Sequence, residues 1–319
     1  MAIDSQKLLT STHKECILVI ETRLQRLGDD YMSTYTIFTD SGSDIVSEKL
    51  AQWGVKLLNL SFRFTDDEKE YKNGDIPIKE FYQQMREGRV AKTAAVNIEE
   101  FSEAFEQELK AGNDVLYIGF SSGLSSTSEA GQIAAKQLQQ KYPERKIIAI
   151  DTLSASAGEG MLVYVAYRKK AEGLSIEENA AFIREKCPAA CQWFTVDDLV
   201  YLKRGGRVSA AVALAGAVLG IKPVMHVDDE GHLTNMSKAR GRKAAVKALA
   251  QKYADLLEDP DEKMYFISHS DCIEDAKLLE DMIYQQNGQK AELITDVGPV
   301  IGAHSGPGTL ALFFFGKER

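Results

Sequence analysis

The sequence predicts an α/β protein of two lobes, the N-terminal one a mainly parallel sheet with flanking helices and the C-terminal one mixed α/β. Three observations predict it. Short β-branched runs alternate with helical stretches from Thr34 onward, the layout of parallel strands joined by crossover helices. The pattern changes near residue 190, after which KPVMHV, a DDEG turn and HLTNMSKA read as a hairpin. No internal repeat, low-complexity tract or long Pro/Ser linker interrupts the chain, so the lobes are expected to pack tightly. The chain divides on this reading into an N-terminal extension (1–32), a first lobe (33–190) and a second lobe (191–319).

The extension has polar ends around an apolar CILVI core and reads as an added helix or a partly disordered segment. TYTIFTD (34–40) is a strand, and VSEKLAQWG a helix closed by Gly54, where a left-handed residue ends it. VKLLNLSFRF is the next strand. Asn97 with Glu100 forms a capping signal for FSEAFEQELKAG, which carries apolar residues at helical spacing. DVLYIGF is a strand, followed by a serine-rich loop and a helix to about Lys141, then the strand KIIAID. SASAGEGMLVYVAYRKKAEG is helical, its small residues permitting close packing, and Ser175 with Glu178 caps the helix after it. Beyond the hairpin come the helix RKAAVKALAQKYADLLE, the strand KMYFISHS, a helix from Ile273 to Gln286, and the strands KAELITDV and TLALFFFG.

Composition excludes several classes. With 44% hydrophobic and 27% charged residues over 319 positions, the chain can bury a sizeable core. A net charge of -9 argues against nucleic acid as a partner, because neutralising many phosphates needs excess Lys and Arg. Cys16, Cys187, Cys191 and Cys272 lack C-x-x-C pairs and histidines at metal spacing, so no metal and no cofactor are expected. No signal-peptide core opens the chain, and the longest apolar run, Val212 to Ile221, is too short to cross a bilayer. A cytoplasmic protein without an integral membrane segment is expected.

In an open parallel sheet the loops at the carboxyl ends of the strands gather along one edge, so FTDSGSD, GFSSGLSST and AIDTLSASAG should meet. All three are rich in hydroxyls and Gly and lead into helix N-termini, which attract anions. Ser, Thr, Asp and Gly also favour caps and turns whatever the function. Three such loops without a P-loop lysine point to a small anion rather than a nucleoside triphosphate. Within the second loop GFSSG fits the G-x-S-x-G of serine hydrolases, with Ser121 as nucleophile and Asp296 and His304 following in the order Ser, Asp, His. Hydrolysis through Ser121 therefore stands as the alternative reading, although no HGG-type oxyanion loop precedes it.

The second half adds YLKRGGRVS and SKARGRKAAVK: between residues 203 and 247 nine Lys or Arg face three acids. They form either a solvated face or a docking surface for an acidic partner or a transferred phosphate. GPVIGAHSGPG sets His304 in a Gly/Pro-rich loop where little else can hydrogen-bond, which favours it over His13, His226, His232 and His269 as a functional histidine.

FTDSGSD, SSGLSST, DTLSASAG, DDLVYLKRGGRVS, KARGRK and GPVIGAHSGPG, in this order, resemble the DegV family, whose characterised members are fatty acid binding proteins, over about residues 34–316. The resemblance implies a long-chain fatty acid held between the lobes with its carboxylate on hydroxyls. By the family's motif those are Thr93 and Ser125, with His304 nearby and Ser121, Ser122, Gly123 and Ser126 in support. It implies a non-enzymatic lipid carrier that presents the acid to a separate ATP-using fatty acid kinase subunit, which makes the acyl phosphate. Arg207 and Arg240 match the family's GGR and K-x-R arginines, expected near the carboxyl end or at the kinase contact. The chain departs from the family's pattern at Ala94 and Ala95, where Ser-Gln usually follows Thr93, and at Ser126, where Gly is usual. The residues at 154–167 and 211–221 are candidates for the tunnel wall.

Overall fold

Four parallel strands form the first sheet, in the order β2-β1-β6-β7, with β1 Tyr35–Asp40, β2 Val55–Leu58, β6 Asp114–Gly119 and β7 Ile147–Asp151. The computed structural model describes residues 34–209, 220–257, 263–317 and 319, and Tyr35–Arg319 form one unit. The N-terminal extension and all but the last two residues of the 211–221 run lie outside the described residues. The strand alternation sorts side chains between two cores. Leu116 and Ile118 face the cluster that includes Ile37 and Met161, whereas Val115 and Tyr117 face the one with Phe101 and Phe105. Helix α3 (Ile98–Lys110), opened by the expected Asn97–Glu100 box, and α4 (Thr127–Lys141) cover the second face. Strand order reverses between β1 and β6, so their carboxyl ends flank a crevice.

One expected strand is two. VKLLNLSFRF breaks after Leu58: the N–H of Leu60 goes to Ser41 Oγ at 3.0 Å instead of to a ladder. The remainder, β3 (Ser61–Phe64), leads a small antiparallel sheet, β4-β3-β5, with β4 Tyr71–Lys72 and β5 Ala91–Ala94. That sheet carries Thr93 opposite Phe62 and packs on Phe81 and Tyr82 of α2 (Ile78–Arg86).

The mixed sheet has the order β10-β9-β8-β13-β11-β12. Its strands are β8 Ala190–Thr195, β9 Ile221–Val227, β10 Leu233–Arg240, β11 Tyr265–His269, β12 Leu293–Asp296 and β13 Leu310–Phe315. Only β11–β12 is parallel among the described pairs. Cys191, Trp193, Leu310, Leu312, Phe314, Tyr265 and Ile267 point to the helices Arg242–Leu256 and Ile273–Asn287. The alternate residues Phe194, Ala311, Phe313 and Phe266 face the other way, toward α5 (Ala157–Ala171).

Helix α5 lies between the two large sheets, and this explains its composition. It is buried at every position from Ala157 to Val163, and a Cβ at Gly158 would come within 2.8 Å of Gln192 and Phe313. At Gly160 a Cβ would meet Ile45 at 2.5 Å and the Ser43 carbonyl at 2.8 Å. The helix starts at Ala157, later than the sequence suggests, because Leu153 and Ser156 adopt positive φ and keep the preceding residues in an irregular loop. The loop expected around His304 is a helix instead, Pro299–Ser305, with proline at its first position.

Candidate functional site

The three hydroxyl-rich loops do meet. Ser121 N–H donates to the Ser154 carbonyl (2.9 Å), Phe120 N–H to Asp40 Oδ2 (3.1 Å) and Ser122 N–H to Asp151 Oδ1 (3.2 Å). Most of their polar groups are committed inside the protein. Ser43 donates to the Asp40 carbonyl, Thr152 to Gly119 and Ser156 to Asp44. At the crevice between β1 and β6 the Asp40 carboxyl receives the N–H groups of Gly42 and Phe120 and the Tyr117 hydroxyl at 2.7 Å. The anion seat that the topology creates is thus filled by the protein's own side chain. Burial raises the pKa of Asp40 against those hydrogen bonds, and raises Glu159 well above the usual carboxylate range. It pushes Asp44 up to about 7, opposed by Ser156 and the Gly298 N–H.

The open space lies beside these loops. A cavity of about 770 Å³, its mouth included, sits between the loop after β6, the small sheet, the Pro299–Ser305 helix and the inner face of the mixed sheet. Leu60, Phe120, Phe194, Val300, Ile301 and Phe313 make much of the wall apolar. Thr93, Ser125, Arg207 and His304 reach the same cavity from four separate elements.

Thr93 Oγ1 lies 2.8 Å from His304 Nε2. Burial, and secondarily the Arg207 charge, lowers the imidazole's pKa to about 4, so the ring is neutral at neutral pH. Its Nδ1 is buried with no partner among the described residues, facing a Gly205 whose Cβ, if it had one, would collide with that atom. An orphaned buried N–H is rarer than an orphaned acceptor, so the proton belongs on Nε2. Nε2–H then donates to Thr93, and the Thr93 hydroxyl hydrogen is available to an acceptor in the cavity. Ser125 Oγ lies 2.9 Å from Thr127 Oγ1 and accepts the Thr127 N–H at 3.2 Å at the start of α4. Arg207 donates to the carbonyls of Leu124 (3.1 Å) and Gly205, and burial lowers its pKa.

Ser121, Ser122, Gly123 and Ser126 do not line this cavity, nor does Arg240, which is exposed at the end of β10. Ser121 fastens two elements: its hydroxyl donates to the Gly231 carbonyl at 2.9 Å in the turn between β9 and β10. Gly123 permits the approach, since a Cβ there would lie 2.7 Å from the Glu230 carbonyl oxygen. The hydrolase arrangement is not assembled. Ser121 is buried on the hairpin, His304 pairs with Thr93, and Asp296 lies 3.5 Å from Nδ1 of His269.

Sequence reasoning missed the mixed sheet's contribution. Gln192, in an otherwise apolar run, accepts the Ala155 N–H (2.9 Å) and donates to Ser154 Oγ (3.0 Å), joining sheet to loop at the cavity wall. One polar residue within ACQWFT was the available signal. Of the 154–167 candidates, Ala155 and Ser156 reach the cavity.

Comparison with known proteins follows the same outline. The profile of the DegV family, described as uncharacterised protein, matches residues 34–317. A DegV domain-containing protein of Clostridium perfringens is 42% identical over 291 residues, covering 90% of this chain and 99% of that one. The structure of a DegV family protein from Thermus thermophilus, described by its fatty acid binding, superposes with a TM-score of 0.77 at 27% identity, covering 89% of this chain and 99% of the other. A fatty acid binding DegV family protein from Streptococcus agalactiae gives 0.76 at 25% identity, with 89% and 100% covered.

Proposed function

The chain belongs to the DegV family, and from that premise we propose that it binds a long-chain fatty acid in this cavity. The acyl tail lies on the apolar wall and the carboxylate meets Ser125 and Thr93, the latter backed by the neutral His304. The observation that carries the reading is the cavity itself, an apolar space with a hydroxyl–imidazole pair at its wall. A carboxylate needs donors, and Thr93 backed by Nε2–H is a polarised one that brings no full positive charge. Each buried methylene contributes about 0.8 kcal/mol, so a sixteen-carbon tail contributes on the order of 10 kcal/mol before ordering costs. Affinity therefore comes mainly from the tail, and the polar end sets orientation.

The family resemblance extends the proposal to presentation of the acid to a separate ATP-using kinase subunit. The distribution of charge supports it. Lys203, Arg204, Lys238, Arg240, Lys243 and Lys247 are exposed, and Asp197, just before the first of the two segments that carry them, pairs with Lys222 (2.7 Å) at the start of β9 and with Arg242 (3.7 Å) of the second.

Lipid extraction from the purified protein, followed by mass spectrometry, tests the binding. A long-chain fatty acid is expected in near-stoichiometric amount, and Thr93→Ala combined with Ser125→Ala should lower its occupancy severalfold. Protein that carries no lipid and takes up no added palmitate or oleate overturns the proposal.

A further inference from the structure

Ser305 ends the helix that carries His304, and among the described residues its side chain has no hydrogen-bond partner. The residue is 5% exposed and lines the cavity, and its Oγ is one of the buried polar atoms left unsatisfied. A serine in the last turn of a helix ordinarily donates back to a carbonyl one turn earlier, and this one does not. Its own carbonyl is already taken by the Thr309 hydroxyl at 3.0 Å, which also accounts for the Gly306 carbonyl at 2.9 Å. The C-terminal carbonyls of a helix repel an anion, and Thr309 blunts that effect where the cavity begins.

A buried hydroxyl without a partner is destabilising by about 1–3 kcal/mol, so such groups call for an explanation. Here the open space is the cavity, and the neighbour in sequence is His304. We infer that Ser305 donates a hydrogen bond to the carboxylate of the bound ligand, as a further head-group residue beside the Thr93–His304 pair. Because Ser305 and His304 are consecutive on one short helix, the two contacts are set by a single rigid element. The inference rests on the fatty acid reading, and the experiment is arranged so that the two can fail separately.

Delipidated protein is titrated by calorimetry at pH 7.5 with dodecanoate and with 1-dodecanol, for the wild type, Ser305→Ala and Ser305→Thr. A hydrogen bond to a charged group is lost in the alanine variant, so dodecanoate affinity should fall roughly tenfold. The alcohol, which lacks the charge, should lose less than about threefold. The threonine variant keeps the hydroxyl and should retain most of the affinity for the acid. Ser305→Ala that binds dodecanoate like the wild type, or that loses acid and alcohol equally, overturns the role of Ser305 and leaves the fatty acid reading standing. Wild-type protein that binds neither compound overturns the fatty acid reading, and this inference with it.

Discussion

At His304 the deciding quantity is a proton. Its ordinary value is 6.5 and the folded value about 4, so between these the unfolded chain binds more protons and stability rises with pH. His304 contributes fully above 6.5, and the contribution is lost as pH falls through 4. Asp44 acts in the opposite sense: raised from 3.8 to about 7, it contributes fully below 3.8 and its contribution is lost as pH rises through 7. The two slopes oppose each other between pH 4 and 6.5. Urea unfolding across that window should show His304→Gln losing stability more steeply with rising pH than the wild type. Asp44→Asn should shift the slope the other way, each by up to about 1.4 kcal/mol per pH unit. Identical profiles for wild type and His304→Gln would contradict a buried neutral imidazole. Motif resemblance put Thr93 and His304 near one carboxylate, but the direct hydrogen bond between them across 211 positions was not legible, because no local pattern encodes a long-range contact.

The serine loop shows how an element can carry a catalytic-looking motif for a mechanical reason. GFSSG places a hydroxyl and a glycine where the hairpin turn Asp228–Gly231 must approach, and Ser121 bonds the turn while Gly123 leaves room for it. Gly123→Ala should therefore push the hairpin away and destabilise the protein by about 1–3 kcal/mol. Ser121→Ala should lose about 1 kcal/mol, both read from denaturation midpoints, and a fluorophosphonate probe should leave Ser121 unlabelled. Fluorophosphonate labelling or wild-type stability of both variants would refute the mechanical role. The helix caps at Asn97 and Ser175 were readable in the sequence because a capping box spans only four residues. The break after Leu58 was not, since Ser41, nineteen positions before Leu60, decides it.

For the whole molecule the charge is uneven: net -9, yet with exposed Lys and Arg gathered on α7 (Val200–Arg204), on β10 and at the start of the Arg242–Leu256 helix. If these cations meet a kinase subunit, lipid-loaded protein incubated with such a subunit and ATP should yield acyl phosphate, trapped as the hydroxamate. Arg240→Glu should slow that formation on the order of tenfold while fatty acid stays bound. An unchanged rate would remove Arg240 from the contact. Among the described residues no helix is long and apolar enough to cross a membrane. The amino-acid order by itself determined the alternation of strands and helices, the parallel and mixed sheets, the capping boxes and the candidates Thr93, Ser125 and His304, because these follow from short-range periodicity or recurring motifs. Only the tertiary structure decided that Asp40 fills the anion seat, that Ser121 is a fastening and that Ser305 faces the cavity unpaired. The cavity wall draws on residues from Leu60 to Phe313, and which polar atoms remain free there depends on distant partners that burial brings together.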